Sequence, residues 1–184
     1  MNETKVFIDL SKLTKLRKKL GTELVAKVGV MGSESSKNHA ESVTRYDTQT
    51  GKPYKTSGAD TSLTNGELAL IHEFGSVSAG IPIRSFLRMP IMEKSKEIVQ
   101  YLGSKYIRDL ISKGDIVQVF TLLGIKGEQI VQRAFASQGF GHWPSVKPAT
   151  AKAKGNNSML GTAEGILIAT GQLRNSVTSK VDKR

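Results

Sequence analysis

The sequence predicts an α+β protein of one domain, with a small mixed or antiparallel sheet packed against two long helices and two long loop excursions. Three observations carry this. Leu24 to Met31 is rich in Val and Leu between glycine and serine, and Ser176 to Val181 alternates with period two, so both read as strands. Ile91, Ile98, Leu102, Tyr106 and Leu110 recur at steps of four and seven, as on one face of a helix. Residues 32–63 and 138–165 lose aliphatic side chains and gain Ser, Thr, Asn and Gly. At 184 residues the chain has room for one ordinary core and little for two, so residues 1–184 read as one unit.

Taken in order, Val6-Phe7-Ile8 predicts a short strand, with Asp9 or Ser11 placed to cap the helix after it. Leu10, Leu13, Leu16 and Leu20 predict an amphipathic helix over 11–20, ended by Gly21. The outer face of that helix carries Lys12, Lys15, Arg17, Lys18 and Lys19. After the strand at 24–31, the segment from Tyr46 to Tyr54 reads as a hairpin or a mobile excursion. Helical spacing returns over Glu67–Phe74, then Gly75–Ile83 is turn-rich and extended, with Pro82 keeping Ile81 out of the α region. A long helix is predicted from about Ser85 to Lys113, with Pro90 in its first turn. Gly114 breaks it and Asp115 can cap a second, whose stripe of Ile116, Phe120, Leu123, Ile130 and Ala134 runs to about Ser137. Two helices joined so tightly predict an antiparallel hairpin or a sharply bent pair. Gly124 and Gly127 weaken the second by about 1 kcal/mol each. Ile166-Leu167-Ile168, a short capped helix over 170–174 and the strand at 176–181 close the chain.

Composition narrows the function classes. Hydrophobic residues at 38% and charged residues at 23% are ordinary for a globular protein. No run of 18 apolar residues occurs, so neither a transmembrane helix nor a membrane partner is expected. The first residues, Met1 to Lys5, lack the basic-then-apolar design of a signal peptide. With no cysteine, disulfide scaffolds, thiolate zinc sites and cysteine nucleophiles are excluded. The charge is more pointed. The net value is +11, and of 27 basic and 16 acidic residues, positions 1–20 hold six and two while positions 142–184 hold seven and two. A nearly neutral middle between two basic ends suits a polyanion or an acidic partner surface, or a solvated face that keeps the chain soluble.

No catalytic constellation emerges. His72-Glu73 lacks the second histidine four residues on that a zinc-protease helix needs, because position 76 is Ser. Gly29-Val30-Met31-Gly32-Ser33 lacks the lysine and the following helix of a phosphate loop. Gly124-Ile125-Lys126-Gly127 has the spacing of a nucleic-acid-clamping GxxG loop, but two small residues packing a helix on a neighbour is the simpler reading. Asp47, Asp60, Glu67, Glu73 and Asp109 permit a small hydrolase without suggesting a shared pocket, and no nucleophile elbow occurs. No enzyme, metal or cofactor is therefore expected. Basic residues interleaved with aromatics, the mark of base reading, are missing too: Trp143 stands alone beside His142 and Lys147.

Several segments read together do form a pattern. Glu73-Phe74-Gly75 ends a helix, Ile81-Pro82-Ile83-Arg84-Ser85-Phe86-Leu87-Arg88 enters the next, and Leu123-Gly124 comes after it. Then come Trp143-Pro144-Ser145 with Thr150 and Lys154, and Thr170-Gly171-Gln172-Leu173-Arg174-Asn175-Ser176. In order and spacing this resembles the virion-morphogenesis, tail-completion and neck proteins of tailed phages, and the related tail components of lambda-like phages. It spans about Val28 to Val181. Ser85 stands where those families usually have a second proline, Ser145 where leucine is common, and residues 33–63 look longer than their usual excursion. The resemblance implies a structural subunit of the virion at the head-to-tail junction, assembled in the host cytoplasm. It would form a homo-oligomeric ring that meets tail and head-connector proteins around the DNA channel. Such a ring repeats one heterologous interface, so each subunit presents two different faces. A tail terminator or head-closure protein is the nearest alternative within that class, and a free basic nucleic-acid-binding protein the rival outside it. Under this reading Glu73, Phe74, Gly75, Pro82, Arg84, Phe86, Leu87, Arg88, Thr170, Gly171, Leu173 and Ser176 are structural motif positions. Gly75 is expected to end its helix at positive φ, Phe86 and Leu87 to enter the core, and Arg84 and Arg88 to pair with Glu73 or Glu93. The two excursions are the candidate inter-subunit or inter-ring arms. Lys12, Lys15, Arg17, Lys18 and Lys19 are the candidate contacts to genomic DNA or an acidic partner.

Overall fold

A computed structural model describes residues 24–38, 63–145, 167 and 171–183, and the backbone of 43–46 and 53–56. The strand at 6–8, the helix at 11–20 with its five basic residues, and Thr150, Lys154, Ile166, Ile168 and Thr170 lie outside the described residues.

Two segments far apart in sequence build the sheet. Strand β1 (Leu24–Val30) pairs antiparallel with the last strand, β4 (Val177–Lys183), in a register running from Leu24 opposite Lys183 to Val30 opposite Val177. Side chains alternate faces along a strand, so Ala26, Val28 and Val30 share one face with Val181, Ser179 and Val177. That face meets a helix. The other carries Lys27 directly opposite Lys180, a repulsive pair. Asp182 relieves it by accepting from both, at 2.8 Å from Lys27 and 2.9 Å from Lys180. These bonds, Lys180 first, lower the Asp182 pKa and raise that of Lys180.

Between the strands the chain forms helix α1 (Ser33–Ser36), a hairpin of β2 (Val43–Tyr46) and β3 (Pro53–Thr56), and helix α2 (Asn65–Phe74). Within the first excursion the described backbone pairs as two short antiparallel strands, with Tyr46 opposite Pro53. Its base is pinned: Asn65 donates from its backbone to Lys37 O at 2.9 Å and from its side chain to Glu34 O at 3.0 Å. Helix α2 starts earlier than Glu67 because Thr64 and Glu67 form a capping box, each satisfying the other's backbone N–H. It ends at Gly75, whose φ of 76° is costly for any other residue. Ser76 then pairs with Ile81 in a tight antiparallel bridge.

The predicted long helix at 85–113 is corrected to three short ones: α3 (Arg88–Glu93), α4 (Ser95–Leu102) and α5 (Lys105–Lys113). One residue, Lys94, interrupts the first pair, and Gly103-Ser104 separates the second. The second break is chemically clear. Ser104 is an N-cap whose hydroxyl accepts from Ile107 N, so a new helix begins there. The new phase buries Ile107 completely and leaves Tyr106 of the predicted stripe exposed. Helix α5 ends in a Schellman arrangement: Gly114 adopts the left-handed conformation, Gly114 N donates to Ile111 O and Asp115 N to Leu110 O. Asp115 stands at the next N-cap position, yet its side chain makes no capping bond.

Helix α6 (Ile116–Ala136) is the one long helix among the described residues. It buries Ile116, Val119, Ile130, Val131, Ala134 and Phe135, and it lies directly on the sheet. A Cβ at Gly124 would sit 2.9 Å from Ser179, and one at Gly127 would sit 2.7 Å from Val28 Cγ2. Those two positions face a paired couple of the sheet, Val28 opposite Ser179. The glycines that weaken the helix locally permit this close approach, as the packing reading of GxxG expects. Helix α7 (Gln172–Asn175) then leads into β4.

Candidate functional site

The motif segments at 73–75, 81–88 and 143–145 converge on one buried polar knot. Glu73 lies in the last turn of α2 and is 5% exposed. Its Oε2 accepts from Phe86 N and Leu87 N, both at 3.0 Å, and its Oε1 accepts from Ser85 Oγ at 2.6 Å and Arg88 N at 3.1 Å. A carboxylate from one helix thus satisfies the free N–H groups where the chain turns into α3, and meets the positive end of that helix. Arg88 Nε is 3.9 Å from Glu73 Oε1, so the cation is a distant fifth partner.

Ser85 is the hub. Its hydroxyl donates to Glu73 and accepts from Met89 N at 3.0 Å, and its carbonyl accepts from Trp143 Nε1 at 2.9 Å. Proline, the residue expected by resemblance, has no hydroxyl to make the first two bonds. Trp143 sits edge-on to Phe135, with ring centroids 5.8 Å apart, and Phe135 packs on Phe86 at 5.2 Å. The indole lies over Gly139, whose φ of 66° belongs to a run of left-handed residues from Gln138 to Gly141. The first part of the second excursion, to Ser145, is therefore a wedge that holds Trp143 in the core. Phe86 is fully buried and Leu87 packs beside it, as the sequence predicts.

Arg84 does not pair with an acid. Its Nε donates to Pro144 O and its Nη2 to Ser145 O, each at 3.1 Å, and at 8% exposure its burial lowers its pKa. The pairing with Glu73 or Glu93 is corrected for Arg84; for Arg88 only the long contact to Glu73 is seen. Arg88 instead covers the ring of Phe74 at 5.4 Å.

The C-terminal motif forms a second knot. Gly171 is left-handed at φ 75°, Leu173 is buried, and the Ser176 hydroxyl donates to Leu173 O at 2.7 Å. Gln172 Nε2 donates to Asn38 O and Asn65 Oδ1, and Arg174 exchanges two bonds with Gln132 of α6. The motif's order is thus explained by residues that grip backbone. Sequence reasoning had Trp143 in the motif without placing it in the core, and it missed Gly139 and the Gln132–Arg174 exchange; the bonds Glu73 accepts from main-chain amides have no side-chain signature.

A different cluster sits on the surface between α4 and α6. Lys126 and Arg133 hold Glu97 at 2.6 and 2.7 Å, Lys126 foremost, and keep its carboxyl down at about 2. Among the described residues no group of His, Cys, Asp or Glu side chains is placed to hold a metal, and no helix is long and apolar enough to cross a membrane. In comparisons with known proteins, no family model, no curated protein and no solved structure matches the chain.

Proposed function

We propose that this chain is a structural virion subunit at the head-to-tail junction of a tailed phage, a tail-completion or neck protein. It assembles as a homo-oligomeric ring that joins the tail to the head connector around the DNA channel, and it performs no bond-making chemistry. The support is the ordered motif resemblance, together with the use to which the motif is put. The observation that carries the reading is the Glu73 knot: four donors saturate the carboxylate, three of them backbone amides. A carboxylate so engaged anchors the chain and is not available as a general base.

The test is to produce particles without the chain. Micrographs should then show filled heads and finished tails that remain separate. Joined, infectious particles lacking the chain overturn the reading. The net charge of +11 favours contact with DNA as a second element of it. Retention of duplex DNA by the assembled protein should then fall steeply as salt rises.

A further inference from the structure

Most cations of the fold already have a partner. Lys27 and Lys180 share Asp182, Lys37 meets Glu34, Lys94 meets Glu93, and Lys126 and Arg133 share Glu97. Arg88 lies against Phe74 and Glu73, while Arg84 and Arg174 donate to carbonyls and to Gln132. Among the described residues five cations are left without one: Lys96 of α4, Lys105, Arg108 and Lys113 of α5, and Lys183 of β4. Four of the five gather around one helix. Lys105, Arg108 and Lys113 are all exposed on α5, and Lys183 borders a cleft of about 670 Å³ that Tyr106, Leu110 and Gly114 of α5 help to line. Asp109 stands one turn from both Lys105 and Lys113 and bridges neither. Tyr106 is 57% exposed, beside Lys105 and two turns from Lys113. The sequence places Tyr106 in a buried stripe; the break at Gly103-Ser104 turns it out among unpaired cations.

We propose that this face binds a single strand of nucleic acid, with phosphates on Lys105, Arg108, Lys113 and Lys183 and a base stacked on Tyr106 beside the cleft. An unpaired cation gives up only counterions and water when it meets a phosphate, whereas Lys126 or Arg133 must first leave Glu97. The four cations outnumber the two acids of the face, Asp109 and Asp115; Asp182, next to Lys183, is already held by Lys27 and Lys180. From Lys105 to Lys113 the helix rises about 12 Å, room for several successive phosphates. Tyr106 selects the single strand: in a duplex the flat faces of the bases are covered by their neighbours, and in a single strand they are free to stack on an aromatic ring. The cleft suits the same ligand. Leu24, Leu110 and Val117 give it apolar walls, and Asp115 and Gln118 add polar groups that a base edge can meet. The site needs one copy of the chain and holds whether or not that copy sits at a head-to-tail junction.

The test titrates the full-length protein into a fluorescent oligothymidine strand, follows anisotropy over a range of salt, and repeats the titration with a duplex of equal length. Three variants, each checked for native circular dichroism, separate the contributions. Lys105→Gln with Lys113→Gln should weaken single-strand binding about tenfold and flatten the slope of log affinity against log salt by about 1.4, the share of two phosphates. Lys126→Gln with Arg133→Gln removes the same charge from paired positions and should change affinity by less than about twofold. Tyr106→Ala should weaken the single strand about fivefold to a hundredfold, leave its salt slope unchanged and leave duplex binding unchanged. Ultraviolet cross-linking of a bromodeoxyuridine strand, mapped by mass spectrometry, should mark Tyr106. Equal losses in the two double variants mean that net charge alone attracts the strand, and overturn the site. A silent Tyr106→Ala, a cross-link map that omits α5, or no binding by the wild type overturns it too. Particle micrographs decide the junction reading separately from all of these.

Discussion

Glu73 and Glu97 both tie separate helical segments together, yet they do so in opposite media. Glu73 is buried and its four close partners are one hydroxyl and three backbone amides. Glu97 is at the surface and is held by two cationic side chains. Buried charge is tolerated where every lone pair is met, and removing it leaves several desolvated donors stranded at once. An exposed pair exchanges water for a cation and is screened by salt, so little is lost with it. Close ion pairs are therefore a poor guide to what holds this fold; the nearest cation to Glu73 is its weakest partner.

Substitutions test this difference directly. The largest effect is expected for Glu73→Ala, which strands three amides: a loss of about 3–5 kcal/mol in urea unfolding, with Trp143 fluorescence moving early. A loss under about 1 kcal/mol would put Glu73 on a par with a surface acid. Trp143→Ala should cost about 3–5 kcal/mol through the cavity beside Phe135 and the lost bond to Ser85. Ser85→Ala should cost less, about 1–3 kcal/mol, because it removes one donor to Glu73 and one acceptor for Met89 N. Gly127→Val should force α6 off Val28 and lower stability by about 1–3 kcal/mol, measured against Ile125→Val on the same helix as a neutral control. Glu97→Gln should be nearly silent in the same assay.

Acid titration probes the surface acid in a second way. Glu97 is depressed in the folded chain, so its contribution is present above the unfolded value of 4.5 and is lost as pH falls toward about 2. Wild type should lose slightly more stability than Glu97→Gln across that window, and the difference should vanish in high salt. Glu67, lowered by its bonds to Thr64, acts with the same sign.

What the sequence made legible was periodicity and punctuation. The strand at 24–30, the long helix to 136, the terminal strand, and the stops at Gly75 and Gly114 all come from patterns a single segment carries. The breaks at Lys94 and Gly103-Ser104 did not, because apolar steps of four and seven continue across them while the backbone does not. The Ser104 cap and the Thr64–Glu67 box were readable signals passed over. The knot was illegible for a deeper reason. Three of its donors are amides twelve or more residues from Glu73, and amides look alike in any sequence.

That same anonymity bears on how the protein can evolve. Because Glu73 grips main chain at 86, 87 and 88, the clamp is indifferent to which side chain other than proline projects from position 88, or from its outward neighbours Met89 and Met92. Those positions can drift, swap size or reverse charge while the underlying turn stays locked. The outer surface of this turn is thus free to change without any change in how the turn itself is held.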